Sequence, residues 1–219
     1  GEEAQLSGSV FLRNSGTALE LTKGSLNAAG CRFVSNPEAF RAGAGLSARL
    51  EACEIRDSAD CGVRAVHGGV RVTLAEVEIT GCKCGVHGAG ARISAVNSTI
   101  SDSLERGVYL ENGGVLGFLG GEITGSAAQA VRLESGSRLR MKGTGVSGNA
   151  TGISAEGSFV TLRNVNFAVN SDFSVSLNGG VHRLRDCVVT GGGVGVGIYK
   201  NARCETAGFS LSGLRTAAF

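Results

Sequence analysis

Three glutamates recur at equivalent positions along the chain. Glu111, Glu134 and Glu156 each follow a short run of alternating apolar residues, 23 and then 22 residues apart. If these runs are stacked parallel strands, neighbouring carboxyl groups lie about 5 Å apart, close to their separation in a retaining glycosidase. Repulsion between like charges should raise the pKa of one glutamate, as a general acid requires. This glutamate ladder predicts a carbohydrate-active site, unless its members are solvated outward residues of a repeat.

Cationic and aromatic residues share a neighbouring outward position. Arg132 lies two residues before Glu134, and its equivalents in the preceding units are Arg41, Arg64, His87 and Tyr109. Stacking would align these side chains in one column on the same face as the glutamates. The column predicts a surface that contacts a sugar or a peptide.

A basic stripe occupies the C-terminal half of the sequence. Its members are outward residues of a second set of strands, interrupted only by Glu205: Arg140, Lys142, Arg163, Arg183, Arg185 and Arg203. A line of like charges favours an anionic partner, such as an acidic protein, an acidic polysaccharide, a phospholipid headgroup or nucleic acid. The stripe lacks the interleaved aromatics typical of single-strand binding. The alternative is that the arginines only protect an exposed sheet face from aggregation.

The seven cysteines form two groups. Most of the first group falls in inward columns, as small core residues do: Cys31, Cys53, Cys187 and Cys204. The second group precedes Gly-Val pairs near His87: Cys61, Cys82 and Cys84. The spacing of these cysteines matches no zinc site, so we predict no metal. A disulfide between Cys61 and Cys84 remains an open alternative. An odd number of mostly inward cysteines predicts an intracellular protein.

These residues sit on a repeat of about 22 residues, visible in GVRAVHGGVRVTLAEVEITGCKC (62–84) and the segments that follow. One apolar column recurs every 20–24 residues: Phe33, Ile55, Ile79, Ile100, Ile123, Val146, Phe167, Val189 and Phe209. His182 breaks another column, which favours a slip of register to Val181. We predict one domain over 1–219, with a partial coil in 1–15, nine regular coils in 16–209 and a tail in 210–219.

Alternation of period two within each unit predicts strands, and the turns of Gly, Ser and Asn leave no room for helices. A strand whose equivalent recurs one unit later stacks on it in parallel, and such crossovers are right-handed. The 219 residues include 36 glycines and one proline, are 42% hydrophobic and carry net charge +2. No apolar run approaches the ~18 residues of a membrane span.

This pattern resembles the right-handed parallel β-helix superfamily over roughly residues 5–215. The superfamily includes pectate lyases, polygalacturonases, alginate epimerases, phage tailspikes and the "carbohydrate-binding and sugar hydrolase" repeats. The resemblance implies an all-β solenoid but no single activity. The signatures that its enzymes need are missing: the sequence has no Asp-Asp, no Asp-x-Asp and no Asp-Pro-His-Asp.

Units of nearly constant length offer no long loops to enclose a substrate. We therefore predict a non-catalytic scaffold without cofactors, presenting a flat, partly basic face to a partner protein or another polyanion. The alternative is a carbohydrate-active enzyme or polysaccharide-binding module that uses the glutamate ladder. Neither end has an evident cap, so end-to-end self-association or a trimeric fibre stays open.

Overall fold

The computed structural model describes residues 3–216, which form an all-β, right-handed parallel solenoid of about ten coils. The predicted fold class is thereby confirmed. Each coil contributes one strand to each of three parallel sheets, and every strand pairs with its equivalent one coil away. Within residues 3–216 no helix is long and apolar enough to cross a membrane.

The first sheet contains Thr17–Leu21, Glu38–Ala42, Cys61–Ala65, Cys84–Ala89, Arg106–Glu111 and Gln129–Leu133. The second contains Glu3–Ser7, Ser25–Ala29, Ser47–Glu51, Arg71–Ala75, Arg92–Val96, Val115–Leu119, Arg138–Lys142 and Arg203–Ala207. The third contains Val10–Leu12, Arg32–Val34, Glu54–Arg56, Glu78–Thr80, Thr99–Ser101, Glu122–Thr124, Gly145–Ser147 and Ser210–Thr216. Longer strands turn the corners between sheets: Thr151–Arg163, Asn166–Arg185 and Val188–Tyr199.

The core consists of columns of like side chains, as the repeat predicts. Ile79 lies in register with Ile55 on one side and Ile100 on the other, and all three are buried. The rings of Phe11 and Phe33 stack with their centroids 4.7 Å apart. Inward apolar residues leave water together, and this burial is the main force that holds successive coils in register.

The corner between the second and third sheets uses the left-handed backbone conformation. Ala52, Glu76, Asn97, Asn164 and Asp186 all have φ between 47° and 56° there. Glycines adopt the same conformation at this corner in other coils, including Gly30 and Gly120. This conformation costs residues with a Cβ free energy, which explains the recurrence of Gly and Asn. The repeated bend gives every coil the same outline.

Two local predictions differ from the structure. His182 is buried and in register with Val160, whereas Val181 is exposed, so the predicted register slip is wrong. Its Nε2 lies 2.8 Å from the Gly179 carbonyl oxygen, and burial lowers its pKa, which favours the neutral ring. Residues predicted as a C-terminal tail include the strand Ser210–Thr216, paired with Val188–Tyr199; residues 217–219 lie outside the described part.

Candidate functional site

The outward face of the first sheet brings the predicted column together. His87 lies in register with Arg64 in the preceding coil and Tyr109 in the next, and Tyr109 lies in register with Arg132. The positions two residues further along the strands are occupied by the glutamates, which lie beside this column. We call the resulting group the acid–base network: Arg64, His87, Tyr109, Glu111, Arg132, Glu134 and Glu156.

Glycines allow the strands that carry this network to pack closely. A Cβ built on Gly107 would lie 2.6 Å from the Ala130 carbonyl oxygen and 2.7 Å from Cγ2 of Ile123. Gly85 is equally close to the Gly107 carbonyl oxygen, at 2.6 Å. Any larger residue would push the coils apart, so these glycines fix the positions of the outward residues that follow them.

His87 lies between a cation and a carboxylate. Its Nδ1 accepts a hydrogen bond from Nη1 of Arg64 at 3.1 Å, which leaves the ring proton on Nε2, 3.0 Å from Oε1 of Glu111. Burial lowers the pKa of His87, but contacts with Cys61 and Glu111 outweigh burial and raise it overall. The raised pKa favours protonation of the ring, and the second proton can enter only at Nδ1, once Arg64 releases that atom.

Tyr109 connects two members of the glutamate ladder. Its hydroxyl oxygen lies 3.2 Å from Oε2 of Glu111 and 3.0 Å from Oε2 of Glu134. One hydroxyl hydrogen thus faces two carboxylates. Burial and the hydrogen bond to Glu134 raise the pKa of Tyr109 to about 12, so the hydroxyl keeps its proton.

Arg106 and His87 both contact the Tyr109 ring. The Arg106 guanidinium stands over the ring, 5.0 Å from its centroid, and His87 stacks on the ring at 5.0 Å. These contacts hold the ring in a fixed orientation and place positive charge beside its hydroxyl.

Arg132 joins Glu134 to the third member of the ladder, Glu156. Its Nε donates to Oε1 of Glu134 and its Nη2 to Oε2 of Glu156, both at 2.8 Å, while Nη1 donates to Oγ of Ser154 at 2.7 Å. The bond from Arg132, with help from Tyr109, lowers the pKa of Glu134 despite burial. The expectation that stacking raises the pKa of a ladder glutamate therefore fails at Glu134, because arginine and tyrosine separate the carboxylates.

Glu38 and Asp60, which were not predicted, extend the network toward the N-terminus. Glu38, whose side chain is only 4% exposed, receives bonds from Arg41 and Arg64, and Arg64 also contacts Asp60. Burial raises the pKa of Glu38, but its two arginines outweigh burial and lower it. An open depression of about 650 Å³ lies beside Arg41 and Arg64. Glu38 occupies the position in its coil that Cys61 occupies in the next coil. This alignment of the repeat was the signal that could have placed Glu38 in the first sheet.

Two cysteines lie under this part of the face. Cys61 and Cys84 are in register on neighbouring strands, and both thiols are free. The hydrogen bond from Cys84 lowers the pKa of Cys61, and contacts with His87 and Arg64 add to this effect against burial. A thiolate at Cys61 would keep a negative charge behind His87. No group of three or more His, Cys, Asp or Glu side chains in residues 3–216 has the arrangement of a metal site.

The predicted basic stripe lies on a different face. Its residues project from the second sheet, where Arg140 is in register with Thr161, Thr161 with Arg183 and Lys142 with Arg163. Arg138 joins them, with its guanidinium over the Phe159 ring at 5.0 Å from the centroid. We call this surface the basic face: Arg138, Arg140, Lys142, Arg163, Arg183, Arg185 and Arg203. The two predicted binding surfaces are therefore separate.

Fold and surface together define a right-handed parallel β-helix with a polar, charged first-sheet face. The chain belongs to the family described as the right handed beta helix region, whose model matches residues 43–211. No curated protein matches the sequence.

The solved structures similar to this chain include two epimerases. One is the periplasmic alginate epimerase AlgG, with a TM-score of 0.64, 14% identity and coverage of 88% of this chain. The chain spans about half of AlgG, at 51% of its length. The other is the A-module of the mannuronan C-5 epimerase AlgE4 from Azotobacter vinelandii, with a TM-score of 0.54, 9% identity, and coverage of 98% of this chain and 82% of that module. At these identities the likeness shows the fold.

The comparisons correct two expectations. The prediction that the chain is not an enzyme is contradicted, because both similar structures are epimerases. The prediction of an intracellular location, drawn from the cysteines, is contradicted because AlgG is periplasmic. The absence of long loops was a poor argument against catalysis, since side chains projecting from a flat sheet can themselves form a connected network.

Proposed function

We propose that this chain is a carbohydrate-active enzyme that processes an acidic polysaccharide by proton transfer on the first-sheet face. The observation that carries the proposal is the acid–base network, in which His87 lies within hydrogen-bond distance of Glu111, and the single hydroxyl hydrogen of Tyr109 can bond either Glu111 or Glu134. The names of the two similar structures support the substrate class, since mannuronan is a chain of sugar carboxylates.

The reaction class follows from what the network can do. A proton on the carbon next to a sugar carboxylate becomes removable when a cation neutralises that carboxylate and a base stands near the carbon. Arg106 and Arg132 flank Tyr109 and supply the cations. Tyr109, held in its protonated form, is placed to return a proton, and His87, paired with Glu111, accepts one at Nδ1 when the substrate draws Arg64 away from that atom.

Glycoside hydrolysis by the glutamate ladder is less well supported. That reaction needs one carboxyl group that stays protonated near neutral pH to act as an acid. Glu134 instead has a lowered pKa because Arg132 and Tyr109 bind its ionised form. A carboxylate kept charged in this way suits a role in positioning Tyr109 and Arg132 better than the role of general acid.

Solvent deuterium provides the test. Polymannuronate incubated with the protein in D₂O should gain deuterium at C5 of its sugar units, as seen by proton NMR. Tyr109→Phe should reduce the rate at least about 100-fold, the usual contribution of a positioned acid or base. The matched control is Tyr199→Phe, which removes the hydroxyl of the other tyrosine, an exposed residue several coils away, and should leave the rate unchanged.

Glu134→Gln tests the supporting role of the ladder. It keeps the shape of the side chain but weakens its bonds with Arg132 and Tyr109, so the rate should fall while some exchange remains. No deuterium uptake by the wild-type protein on polymannuronate or polygalacturonate would contradict the proposed reaction. Release of reducing ends without deuterium uptake would favour hydrolysis by the ladder instead.

A further inference from the structure

The cations of the basic face mostly lack a carboxylate partner. Arg183 and Arg185 share Glu205, with contacts of 3.2 and 3.3 Å. Within residues 3–216 the remaining five members make no ion pair: Arg138, Arg140, Lys142, Arg163 and Arg203. Like charges held on neighbouring strands about 4.8 Å apart repel each other, and an anionic ligand would remove that repulsion.

Shallow depressions run between these side chains. One of about 640 Å³ lies beside Gly117 and Arg138, and the next, of about 350 Å³, also reaches Arg138 and extends to Thr161. A third of about 400 Å³ shares Thr161 and reaches Arg185. Neighbouring depressions share lining residues and so follow one another across successive coils. Their lining is mostly cationic and apolar, and Asp186 is its one carboxylate.

We propose that this row of depressions, the basic groove, binds a second stretch of the acidic polysaccharide, parallel to the solenoid axis and away from the acid–base network. The inference rests on the proposed function for the class of sugar. The spacing of strands is ~4.8 Å, close to the length of one sugar unit in an extended chain, so each coil can offer a cation to one sugar carboxylate. Guanidinium groups bind carboxylates with paired hydrogen bonds.

The composition of the groove favours a polysaccharide over other polyanions. Phe159 is the one aromatic ring among the lining residues of these three depressions, and Arg138 covers it. Single-stranded nucleic acids need repeated aromatic platforms on which their bases stack. The exposed Val181 instead offers a small apolar surface against which a sugar ring can pack.

Calorimetric titration with polymannuronate tests the groove. We expect the wild-type protein to bind this polymer, with affinity falling as salt rises, and to bind neutral dextran much more weakly. The double variant Arg140→Gln, Arg163→Gln should weaken polymannuronate binding roughly ten-fold, since each exposed pair contributes a modest amount. The matched control is Arg49→Gln, an arginine on the same sheet that contacts Glu51 at 3.0 Å; its affinity should match that of the wild type.

The outcomes separate this inference from the proposed function. The double variant Arg106→Gln, Arg132→Gln removes the two cations of the proposed site on the first sheet, so salt-sensitive binding that survives in this variant places the polymer elsewhere, as the groove requires. Unchanged binding in the Arg140→Gln, Arg163→Gln variant overturns the groove, whatever the deuterium experiment shows. Tighter binding of a DNA duplex or of polyglutamate than of polymannuronate at the same salt concentration also overturns it, in favour of a nucleic acid or an acidic protein.

Discussion

The first-sheet and second-sheet faces use the same in-register stacking to opposite effect. On the first sheet, Arg132 lies between Glu134 and Glu156, and Arg64 lies between Glu38 and His87. On the second, Arg140 and Arg163 project without a carboxylate partner. Paired charges hold donors and protons at fixed points, as proton transfer requires, whereas unpaired charges attract an anion without fixing its position.

The difference lies in a single column of residues. Beside Tyr109, Arg132 and Ser154 on the first sheet, the next outward position carries Glu111, Glu134 and Glu156. Beside Arg140 and Arg183, the next outward position carries Lys142 and Arg185. A solenoid can thus form either an internally paired site or a charged binding surface by changing one residue in each coil.

Glycine substitutions should give the largest difference in the free energy of unfolding between the two faces. Gly107→Ala should lower the free energy of unfolding by about 3 kcal/mol, because the new Cβ would meet the next coil and the core. Gly117→Ala, on the second sheet, meets nothing within 4 Å and should be neutral or slightly stabilising. Urea unfolding of both variants measures the difference. Equal losses would mean that the two faces are packed alike.

Carboxylate neutralisation should have the next largest effect. Glu38→Gln should cost about 2 kcal/mol, because the buried partner of Arg41 and Arg64 is lost. Glu51→Gln, which removes an exposed partner of Arg49, should cost less than about 0.5 kcal/mol. Urea unfolding at neutral pH compares them.

Glu38 and its two arginines also predict that the stability of the fold depends on pH. The pKa of Glu38 is lower in the folded protein than its ordinary value of 4.5, so its contribution is complete above that value. The contribution is lost as the pH falls through the lowered pKa, because protonation of Glu38 releases its arginines. The gap in stability between wild type and Glu38→Gln should therefore narrow in acid, and a gap that widens would contradict the ion-pair account.

Matched arginine substitutions should give the smallest effects and differ in sign. Arg132→Gln loses its bonds to two glutamates and Ser154 and should cost about 1 kcal/mol. Arg140→Gln removes one of several repelling charges and should raise stability by less than about 0.5 kcal/mol, less still at high salt. Thermal unfolding at two salt concentrations checks both signs. A loss of stability in Arg140→Gln would show that Arg140 has a structural partner.

Most of the fold could be predicted from the sequence, because stacked columns require like residues at a fixed spacing. Ile79 and Ile100 were correctly paired for this reason. The grouping of His87, Tyr109 and the glutamates on one face followed from the same register. The hydrogen bonds between them did not, since the choice of the Glu134 partners depends on side-chain conformations that spacing leaves open.

Other features were hidden by local exceptions to the pattern. Glu38 was not predicted as a site residue, yet it is the buried anion between Arg41 and Arg64. His182 looked like an error of register, yet a carbonyl oxygen compensates its burial. In both cases a polar residue found an internal partner one to three residues or one coil away, which a hydrophobic pattern cannot show.

A crystal structure of the Tyr109→Phe variant with a mannuronate oligosaccharide would test the central claim most directly. The account predicts a sugar ring on the first sheet at position 109, with its carboxylate bound by Arg106 or Arg132 and its C5 hydrogen facing the substituted ring or His87. An oligosaccharide bound only on the second sheet, or one whose carboxylates avoid both arginines, would contradict the account.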